Sequence, residues 1–453
     1  MSTIVQKIIS IIIALLMATG IFPAPKPPAD GIKADAEITF ANEDAGSAAG
    51  TVTVDADFDA TYELYWGDAN NEKLTATAPS GKTVAYTEFA DVTVSKGVGE
   101  LTLNSFLAIP DGAKTVLLYY GDEQLDSDPI PSGKILSYGD TTYSFGSLSD
   151  VHFNRYFTSG GDDSEISYPR ALNFLNDMGV SIVGVAGDIS YKGEAASYES
   201  FNKFNSEFNF PVFSCKGNHD CKSEFSYDAW NANVNPGVFT EEGRDGVLAK
   251  ADNGYDFVYS GKETNGDIFI FLSQISDKYA PFTPLLTDSQ LDWFAAQLET
   301  YKDKRVFLYF HTFLNAPTGN PLLGEGNLVN DYGFFYTLPY FKGNKDERRF
   351  RELLTEYKNV IWFNGHSHWA YKLEKYNPSL NVTDYDGTTA TMVHVSSTAA
   401  PRTTGITEPF QTSNPLKMSE GLYNQVYDNF VITNACDFIS GSIFAYAVYK
   451  INK

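Results

Sequence analysis

The chain is poor in the residues that hold small secreted folds or zinc-stabilised modules together. Its 453 residues include only 3 cysteines and 6 histidines. So few cysteines exclude a disulfide framework and a cysteine-rich zinc module. Any chemistry that depends on histidine must therefore use a very small set of residues.

Positive charge and long hydrophobic runs are also scarce. The chain has 33 Lys and Arg against 57 Asp and Glu, which gives a formal net charge of −24. This balance excludes nucleic-acid binding by a basic face. After residue 22 no apolar run approaches the roughly 20 residues of a membrane helix, so we expect no stable span in the mature chain. The hydrophobic content of 43% supports two or three globular domains.

The N-terminal segment has the layout of a secretory signal peptide. An apolar stretch over 8–22 precedes a proline-rich segment over 23–28. We predict a signal peptide over 1–36, cut after the Ala-Asp-Ala run at 34–36, with Ala24 as an earlier alternative site. An uncleaved membrane anchor is the competing interpretation. The expected location is secreted or extracytoplasmic.

The sequence predicts two domains after this segment. Residues 37–137 show short alternating runs, such as 50–55 and 115–120, between Gly, Asp, Asn and Pro clusters. That spacing favours a small all-β domain of the immunoglobulin or fibronectin type. Residues 138–453 form the second domain, where apolar strand-like runs alternate with amphipathic helices. Such alternation predicts a layered α/β fold.

The helices of the second domain have recognisable boundaries. Apolar spacing predicts helices over 168–178, 197–208 and 347–358. A further helix is expected to begin after Thr287, because Gln290 three residues later completes a capping-box pattern.

Polar residues follow the predicted strands of this domain at the point where each strand ends. Five of the six histidines lie there, and four of these five are within three residues of Asp, Asn or Gly. The strand ends are Asp150-Val-His152, Gly187-Asp188, Gly217-Asn218-His219-Asp220, His311 and Gly365-His366-Ser-His368. Ends of successive strands converge on one rim of an α/β sheet, where such folds place their sites. We therefore predict a single pocket.

Each of these pieces alone is weak evidence. A Gly-Asp pair after a strand is usually a turn, and a single histidine such as His311 is more often a buried core residue than a ligand. An Asp-x-His or His-x-His pair can bind one ion, because alternate strand residues face the same way. Five such motifs that use five of only six histidines favour a metal site.

In this order the motifs resemble those of the calcineurin-like metallophosphoesterase superfamily. Its pattern is Asp-x-His, Gly-Asp, Gly-Asn-His-Asp/Glu, His and Gly-His-x-His, and the resemblance covers about residues 140 to 450. It implies a β-sandwich flanked by helices as the catalytic fold, and a two-metal site in which Asp188 bridges the ions. One ion would be completed by Asp150, His152 and His368, and the other by Asn218, His311 and His366. His219 would be the catalytic residue, a general acid or a stabiliser of transition-state charge beside the scissile phosphate.

The ligand chemistry supports the same interpretation. Nitrogen and oxygen ligands without thiolate suit two divalent or mixed-valence ions such as Mn, Fe or Zn. Such a pair clamps a phosphate and lowers the pKa of a bridging water, so a metal-bound hydroxide is the expected nucleophile. The predicted function is hydrolysis of a small phosphate-ester substrate. The alternatives are a phosphodiesterase acting on cyclic nucleotides or other diesters, and a catalytically silent cell-surface binding protein that retains the fold.

Tyr191 marks a departure from the commonest pattern of this superfamily. The run Gly187-Asp188-Ile-Ser-Tyr191 resembles purple acid phosphatases, in which the tyrosine binds ferric iron. Those enzymes generally lack a histidine at the position of His152. We therefore expect Tyr191 to pack near the site rather than to bind a metal, and the group that orients His219 is left open.

The remaining candidates carry less information. Cys215 and Cys221 flank the Asn218-His219 turn and are either a short disulfide or buried free thiols. His394 is expected to be structural. The irregular stretch over 312–346 is a candidate substrate-selecting lid, since it is long for a loop in a compact domain.

Overall fold

The architecture comes from a computed structural model of the whole chain. It describes residues 31–41, 44–103, 107–154, 164–277, 284–314, 345–368, 370–371, 382–383, 389–399 and 418–452, together with Pro28 and Pro401. Every structural statement below refers to these residues.

The N-terminal part of the chain forms strands that alternate buried and exposed side chains. They are β1 (Ala34–Phe40), β2 (Gly50–Ala56), β3 (Thr61–Gly67), β4 (Thr75–Thr77), β5 (Thr83–Ala85), β6 (Ala90–Thr93), β7 (Val98–Leu103), β8 (Thr115–Tyr120) and β9 (Glu123–Pro129). Three sheets result, with the strand orders β1-β2-β7, β6-β3-β8-β9 and β4-β5. One apolar cluster, which includes Val52 and Leu64, joins the two larger sheets. The assignment of this region to the immunoglobulin type stays a prediction.

The predicted cleavage position coincides with the first strand. Ala34, Asp35 and Ala36 pair with Ala56, Asp55 and Val54 of β2. A cut after Ala36 would remove three residues from β1, whereas a cut after Ala24 would leave the strand whole. Among the described residues, none of the helices has both the length and the apolar character that a membrane span requires.

Two larger sheets follow. Their strands are β10 (Tyr143–Leu148), β11 (Ile182–Val185), β12 (Val212–Ser214), β13 (Val247–Lys250), β14 (Phe257–Tyr259), β15 (Ile268–Phe271), β16 (Val306–Tyr309), β17 (Val360–Asn364), β18 (Val382–Thr383), β19 (Thr391–His394), β20 (Glu420–Val426), β21 (Phe430–Asp437) and β22 (Ser442–Asn452). The first sheet has the order β12-β11-β10-β20-β21-β22, and the second has the order β13-β14-β15-β16-β17-β19-β18. Strands β10 to β12 are parallel, and so are β15, β16, β17 and β19.

Aromatic side chains fill the space between these two sheets. Phe145 of the first sheet lies within 4.6 Å, ring centre to ring centre, of Phe307 of the second. Tyr309 crosses the interface and shares a hydrogen bond of 2.7 Å with the hydroxyl of Ser147. Both faces belong to one buried cluster, so the sheets pack face to face as a sandwich.

Helices cover the outer face of each sheet. They are α1 (Ser164–Asp177), α2 (Ala195–Asn205), α3 (Tyr227–Asn233), α4 (Asp288–Thr300) and α5 (Lys345–Glu356). Helices α1 and α2 pack on the first sheet, while α4 and α5 pack on the second. The α/β class is therefore confirmed, and the sequence had predicted all of these helices except α3.

The predicted and observed starts can be compared for two helices, α4 and α1. The capping box is present as predicted, because Thr287 and Gln290 exchange side-chain and backbone hydrogen bonds at the start of α4. The predicted start of the first helix at Tyr168 was wrong. The helix is already formed at Ser164 and contains Pro169 in its interior. A proline there removes only one backbone donor, and the buried Leu172 and Leu175 hold the helix on the sheet.

The N-terminal sheets dock on the last strand of the chain. Strand β22 is the outer strand of the first sheet. Leu107 forms a β-bridge with Tyr449, and Tyr86 forms one with Ile443. The backbone N–H of Ala108 donates to the carbonyl of Val448 at 2.7 Å. The outer edge of the first sheet is therefore paired along part of its length.

Candidate metal centre

The predicted site residues lie on one rim of the sandwich, just past the ends of five parallel strands. The structure brings together all eight of them. Strand β10 is followed by Asp150 and His152, β11 by Asp188, β12 by Asn218 and His219, β16 by His311, and β17 by His366 and His368. Seven of the eight are buried, and His219 is half-buried.

Asp150, His152 and His368 form the first group of ligand atoms. Their ligand atoms all lie within 4.8 Å of one another. Nε2 of His368 is 2.9 Å from Oδ1 of Asp150, and Nε2 of His152 is 3.5 Å from the same oxygen. The two imidazole Nε2 atoms are 3.0 Å apart. Three ligand atoms that point at one position offer a place for a metal ion.

Asp188, His311 and His366 form the second group. Nε2 of His311 is 3.2 Å from Oδ2 of Asp188 and 3.2 Å from Oδ1 of Asn218. Nδ1 of His311 lies 2.6 Å from the carbonyl oxygen of Ala186, an atom that only accepts. Nδ1 of His311 therefore donates a proton to this carbonyl, so Nε2 is the nitrogen that would bind a metal once it gives up its own proton.

Asp188 connects the two groups. Its Oδ2 is 3.7 Å from Nε2 of His152 in the first group and 3.2 Å from Nε2 of His311 in the second. Its Oδ1 accepts the backbone N–H of His219 at 2.8 Å. One carboxylate thus faces both groups and also holds the turn that carries His219.

The buried carboxylates fit bound cations. Oδ1 of Asp150 and Oδ2 of Asp188 are both buried without a hydrogen bond. Burial alone would raise the pKa of Asp188, but His311 and His219 hold it well below its ordinary value, so the group stays ionised. Burial opposes the charged form of His311, but Asp188 and Asp150 raise its pKa to about 9. Ionised oxygens without hydrogen bonds, surrounded by imidazole nitrogens, are a donor set suited to Mn, Fe or Zn.

The backbone of the site is strained. Asp150, His152, Asp188, His366 and His368 all have φ between 51° and 75°, the left-handed region that side chains disfavour. They make up five of the nine non-glycine residues with positive φ in the described part of the chain. Strain concentrated at the ligands indicates that the surrounding packing fixes their positions.

Two motif glycines are required by close approach. A Cβ on Gly217 would overlap the carboxylate of Asp188, and a Cβ on Gly365 would overlap the hydroxyl of Ser149. The glycines of the Gly-Asn-His-Asp and Gly-His-x-His motifs therefore let two neighbouring loops pass the carboxylates.

His219 has a partner that the sequence did not identify. Its Nδ1 lies 2.7 Å from the carbonyl oxygen of Tyr191, which orients the ring. The tyrosine ring packs beside it, with ring centres 5.1 Å apart, and lies 6.1 Å from the ring of His152. Burial lowers the pKa of His219, which Asp188 partly opposes. The backbone of Tyr191, rather than an acidic side chain, is thus available to hold the catalytic candidate.

Asp220 is a functional residue for which sequence reasoning gave no role. It is fully buried, and it accepts backbone N–H groups from Ser190 and Gly217 at 3.0 Å each and from Ile189 at 3.3 Å. Burial, with Asp188 nearby, raises its pKa to about 7. Because its bonds join the loop after β11 to the loop after β12, Asp220 fixes the spacing of two ligand loops. Its place in the Gly-Asn-His-Asp motif was the available signal.

Serines support Asp150 from two directions. The hydroxyl of Ser149 donates to Oδ2 of Asp150 at 2.7 Å, and that oxygen also accepts the backbone N–H of His366 at 2.9 Å. Ser397 donates to the carbonyl of Asp150 at 2.8 Å from a position 247 residues away. No sequence pattern pointed to Ser397, because its role depends on the packing of the last strands.

Two cysteines, the sixth histidine and the candidate lid were the remaining candidates from the sequence. Cys215 and Cys221 are free thiols, the first buried and the second half-buried, so the disulfide alternative is not formed. His394 is fully buried, with Nδ1 3.5 Å from the hydroxyl of Ser367 in the His366–His368 loop. The central part of the candidate lid, residues 315–344, lies outside the described residues.

We compared the chain with known proteins at three levels: curated proteins, solved structures and family models. No curated protein matches the chain. Solved structures that align with it include GAP50, described as the anchor in the inner membrane complex of Plasmodium. It is 12% identical, covers 69% of this chain and 89% of its own, and has a TM-score of 0.39. A conserved protein from Streptococcus pneumoniae, described as a predicted phosphoesterase, is 11% identical, covers 69% of this chain and 98% of its own, and has a TM-score of 0.28.

A third aligned structure, the protein TT1561 of Thermus thermophilus, is 9% identical, covers 68% of this chain and 98% of its own, and has a TM-score of 0.34. The family model described as calcineurin-like phosphoesterase matches residues 143–370, which is half of the chain and contains every predicted site residue. This match confirms the resemblance seen in the motifs. The chain belongs to the calcineurin-like phosphoesterase family.

Proposed function

We propose that the protein is a metal-dependent hydrolase of phosphate esters that uses two cations. The observation that carries the proposal is the position of Asp188, which faces both ligand groups and receives the backbone N–H of His219. One ion would be held by Asp150, His152, Asp188 and His368, and the other by Asp188, Asn218, His311 and His366.

The two cations, when bound, would neutralise the phosphate oxygens and lower the pKa of a water molecule close to phosphorus. The chain's own groups orient the reaction. As a water oxygen bonds to phosphorus, the bond to the leaving oxygen breaks, and that oxygen must take up a proton. His219 is the group placed to donate it, because its Nδ1 points to the carbonyl of Tyr191 and its Nε2 is left for the substrate.

The charge of the site supports a phosphate ester as substrate. All ligand loops end on one rim, and Asp150 and Asp188 are the only carboxylates in the two complete ligand groups. Two divalent cations outweigh these two negative charges, so a phosphate is attracted even though the chain carries a net charge of −24. Monoesters and diesters both fit this arrangement. A secreted or extracytoplasmic location, with removal of the N-terminal apolar segment, is part of the proposal.

The decisive experiment compares three substrates on the purified chain reconstituted with Mn, Fe or Zn. They are an aryl phosphate monoester, an aryl phosphate diester and a cyclic nucleotide. We expect phosphate-ester hydrolysis that a chelator abolishes and that added metal restores. The variant Asp188→Asn is the matched negative control, since it keeps the size of the side chain and removes the shared charge.

A chain that holds metal and stays folded but hydrolyses none of the three substrates would overturn the proposal. It would support the catalytically silent binding protein instead. The ranking of the three substrates would separate a monoesterase from a phosphodiesterase.

A further inference from the structure

Lys222 lies beside the catalytic candidate, one turn further along the chain. The 3-10 turn His219–Cys221 ends directly before it. Its Nζ is 2.8 Å from Nδ1 and 3.5 Å from Nε2 of His219, and it lies 4.9 Å from the centre of the Tyr191 ring. The side chain is half-buried, so its charge is held at the edge of the candidate metal centre and is not free in solvent.

The ammonium group of Lys222 lacks an anionic partner in the described part of the chain. No carboxylate there lies within 4 Å of its Nζ, whereas the neighbouring Lys192 pairs with Glu224 at 3.9 Å. Asp188, Asp277 and Glu194 favour the charged form of Lys222 from a greater distance, while burial opposes it more strongly and lowers its pKa. Lys222 is therefore a partly desolvated cation without a direct ion pair among the described residues.

The imidazole of His219 does not satisfy this cation either. The carbonyl of Tyr191 only accepts, so Nδ1 of His219 carries a proton toward it. An ammonium group only donates, and two donors do not form a hydrogen bond with each other. With this tautomer of His219, Lys222 keeps N–H groups that can donate to an oxygen approaching the site from outside.

We propose that Lys222 binds a second anionic group of the substrate, next to the scissile phosphate on the side of the leaving group. This inference rests on the proposed function, because it uses the role of His219 as the donor to the leaving oxygen. Nζ lies within 3.5 Å of the nitrogen that faces this oxygen. The preferred substrate class is therefore a phosphate ester whose leaving group carries its own negative charge close to the bond that breaks.

The charge of the protein makes such a residue useful. With 57 acidic residues, the surface of the chain repels substrates that carry extra negative charge. A fixed cation beside the metals offsets this repulsion at one position. Charge-assisted hydrogen bonds in a partly dehydrated site are also stronger than those at an open surface.

A pair of non-hydrolysable ligands tests the inference directly. Phosphonoacetate and ethylphosphonate share the phosphonate group and differ by a carboxylate in place of a methyl group. Calorimetric titration of the metal-loaded protein measures both affinities, and metal content is assayed after each titration. We expect the wild-type protein to bind phosphonoacetate about tenfold more tightly than ethylphosphonate.

Three variants identify the residue responsible. Lys222→Met should reduce the ratio of the two affinities to near one, and Lys222→Arg should keep most of it because the charge remains. Lys192→Met, which removes a nearby lysine that already has a partner, is the matched control and should leave the ratio unchanged.

The outcomes separate this inference from the proposed function. A ratio near one in the wild-type protein, or a ratio that survives in Lys222→Met, overturns the role of Lys222. If neither phosphonate binds, the role of Lys222 is overturned as well, and hydrolysis of the aryl phosphate by the same preparation decides the proposed function. If the ratio collapses in Lys222→Met but no ester is hydrolysed, the anion site stands and the hydrolase does not.

Discussion

The backbone N–H of His219 donates to Oδ1 of Asp188 at 2.8 Å, so the catalytic candidate and the carboxylate shared by both ligand groups are joined through the main chain. The His219 side chain takes no part in this bond. A change of the side chain therefore leaves the position of Asp188 intact, and catalysis can be separated from metal binding.

The first prediction uses this separation. Replacing His219 with Asn should lower kcat by about 10²- to 10⁴-fold, the usual effect of losing a general acid, while bound metal changes little. Steady-state kinetics and elemental analysis of the same sample make the measurement. Loss of the metals in this variant would show that His219 is a ligand and not the proton donor.

The second prediction concerns the buried carboxylates. Asp188→Asn should lose both metals, and its melting temperature should no longer rise when Mn or Zn is added. The wild-type protein should be stabilised, because a ligand that binds only the folded state shifts unfolding by mass action. Thermal unfolding with and without metal checks this. Without metal, the variant should melt no higher than the wild-type protein, because the lowered pKa of Asp188 shows that the folded chain favours its charged form. A metal-dependent rise that survives the substitution would contradict the shared role of Asp188.

The third prediction concerns the link between two ligand loops. Asp220→Ala leaves the buried N–H groups of Ile189, Ser190 and Gly217 without an acceptor, and each loss costs about 1–3 kcal/mol. We expect the free energy of unfolding to fall by roughly 3 kcal/mol or more and metal affinity to fall with it. Urea unfolding is the measurement, with the exposed Asp245→Ala as the control. Equal stability of the two variants would show that Asp220 does not fix the loops.

The fourth prediction is a pH dependence of stability from Glu420. This residue is fully buried, its Oε2 accepts the backbone N–H of Tyr371 at 3.0 Å, and burial raises its pKa from 4.5 to about 8. Between these two values the folded chain holds a proton that the unfolded chain releases. The contribution of Glu420 to stability is thus fully present below about pH 4.5 and is lost as the pH rises to about 8.

Glu420→Gln should remove this dependence. The variant should match the wild-type protein near pH 5 and exceed it by about 1–3 kcal/mol at about pH 8 to 9. Urea unfolding across this range measures the difference, and the exposed Glu123→Gln is the control. A variant with the same pH profile as the wild-type protein would show that Glu420 ionises normally.

The fifth prediction concerns the N-terminus. Strand β1 begins at Ala34 and pairs with β2 from that residue onward, so a signal peptidase should cut closer to Ala24 than to Ala36. N-terminal sequencing of the full-length chain after expression in a secreting host decides between the two. A mature chain that begins at Glu37 would mean that β1 starts after Ala36 in the processed protein.

The grouping of the candidate metal ligands was largely predictable from sequence because its signals are local. Each ligand follows a strand that is apolar in sequence, and the motif glycines mark the loops that pass the carboxylates. His311 is the clearest example, since a lone histidine gained meaning only from its place after a strand. The supporting residues could not be predicted in the same way. Ser397 reaches Asp150 across 247 residues, and Tyr191 holds His219 with a backbone carbonyl that any residue type provides.

In the fold, too, features with local sequence signals were predictable, and features that depend on distant contacts were not. The capping box at Thr287 and the strand pattern around Phe363 are local, and both appear as expected. The early start of α1 and the presence of α3 depend on burial against the first sheet, as the fully buried Trp230 shows. Contacts of this kind form only after the chain has folded, so short sequence windows do not contain them.

The docking of the N-terminal sheets on β22 bears on self-association of the chain. An exposed outer strand is a template for pairing with a second chain, and β22 is 11 residues long and rich in apolar and aromatic residues. Leu107 and Ala108 occupy its hydrogen-bonding positions near Tyr449, and Ala445 lies within the N-terminal apolar cluster. The N-terminal region therefore covers part of this edge, and we expect residues 138–453 expressed alone to expose β22 and to aggregate more readily.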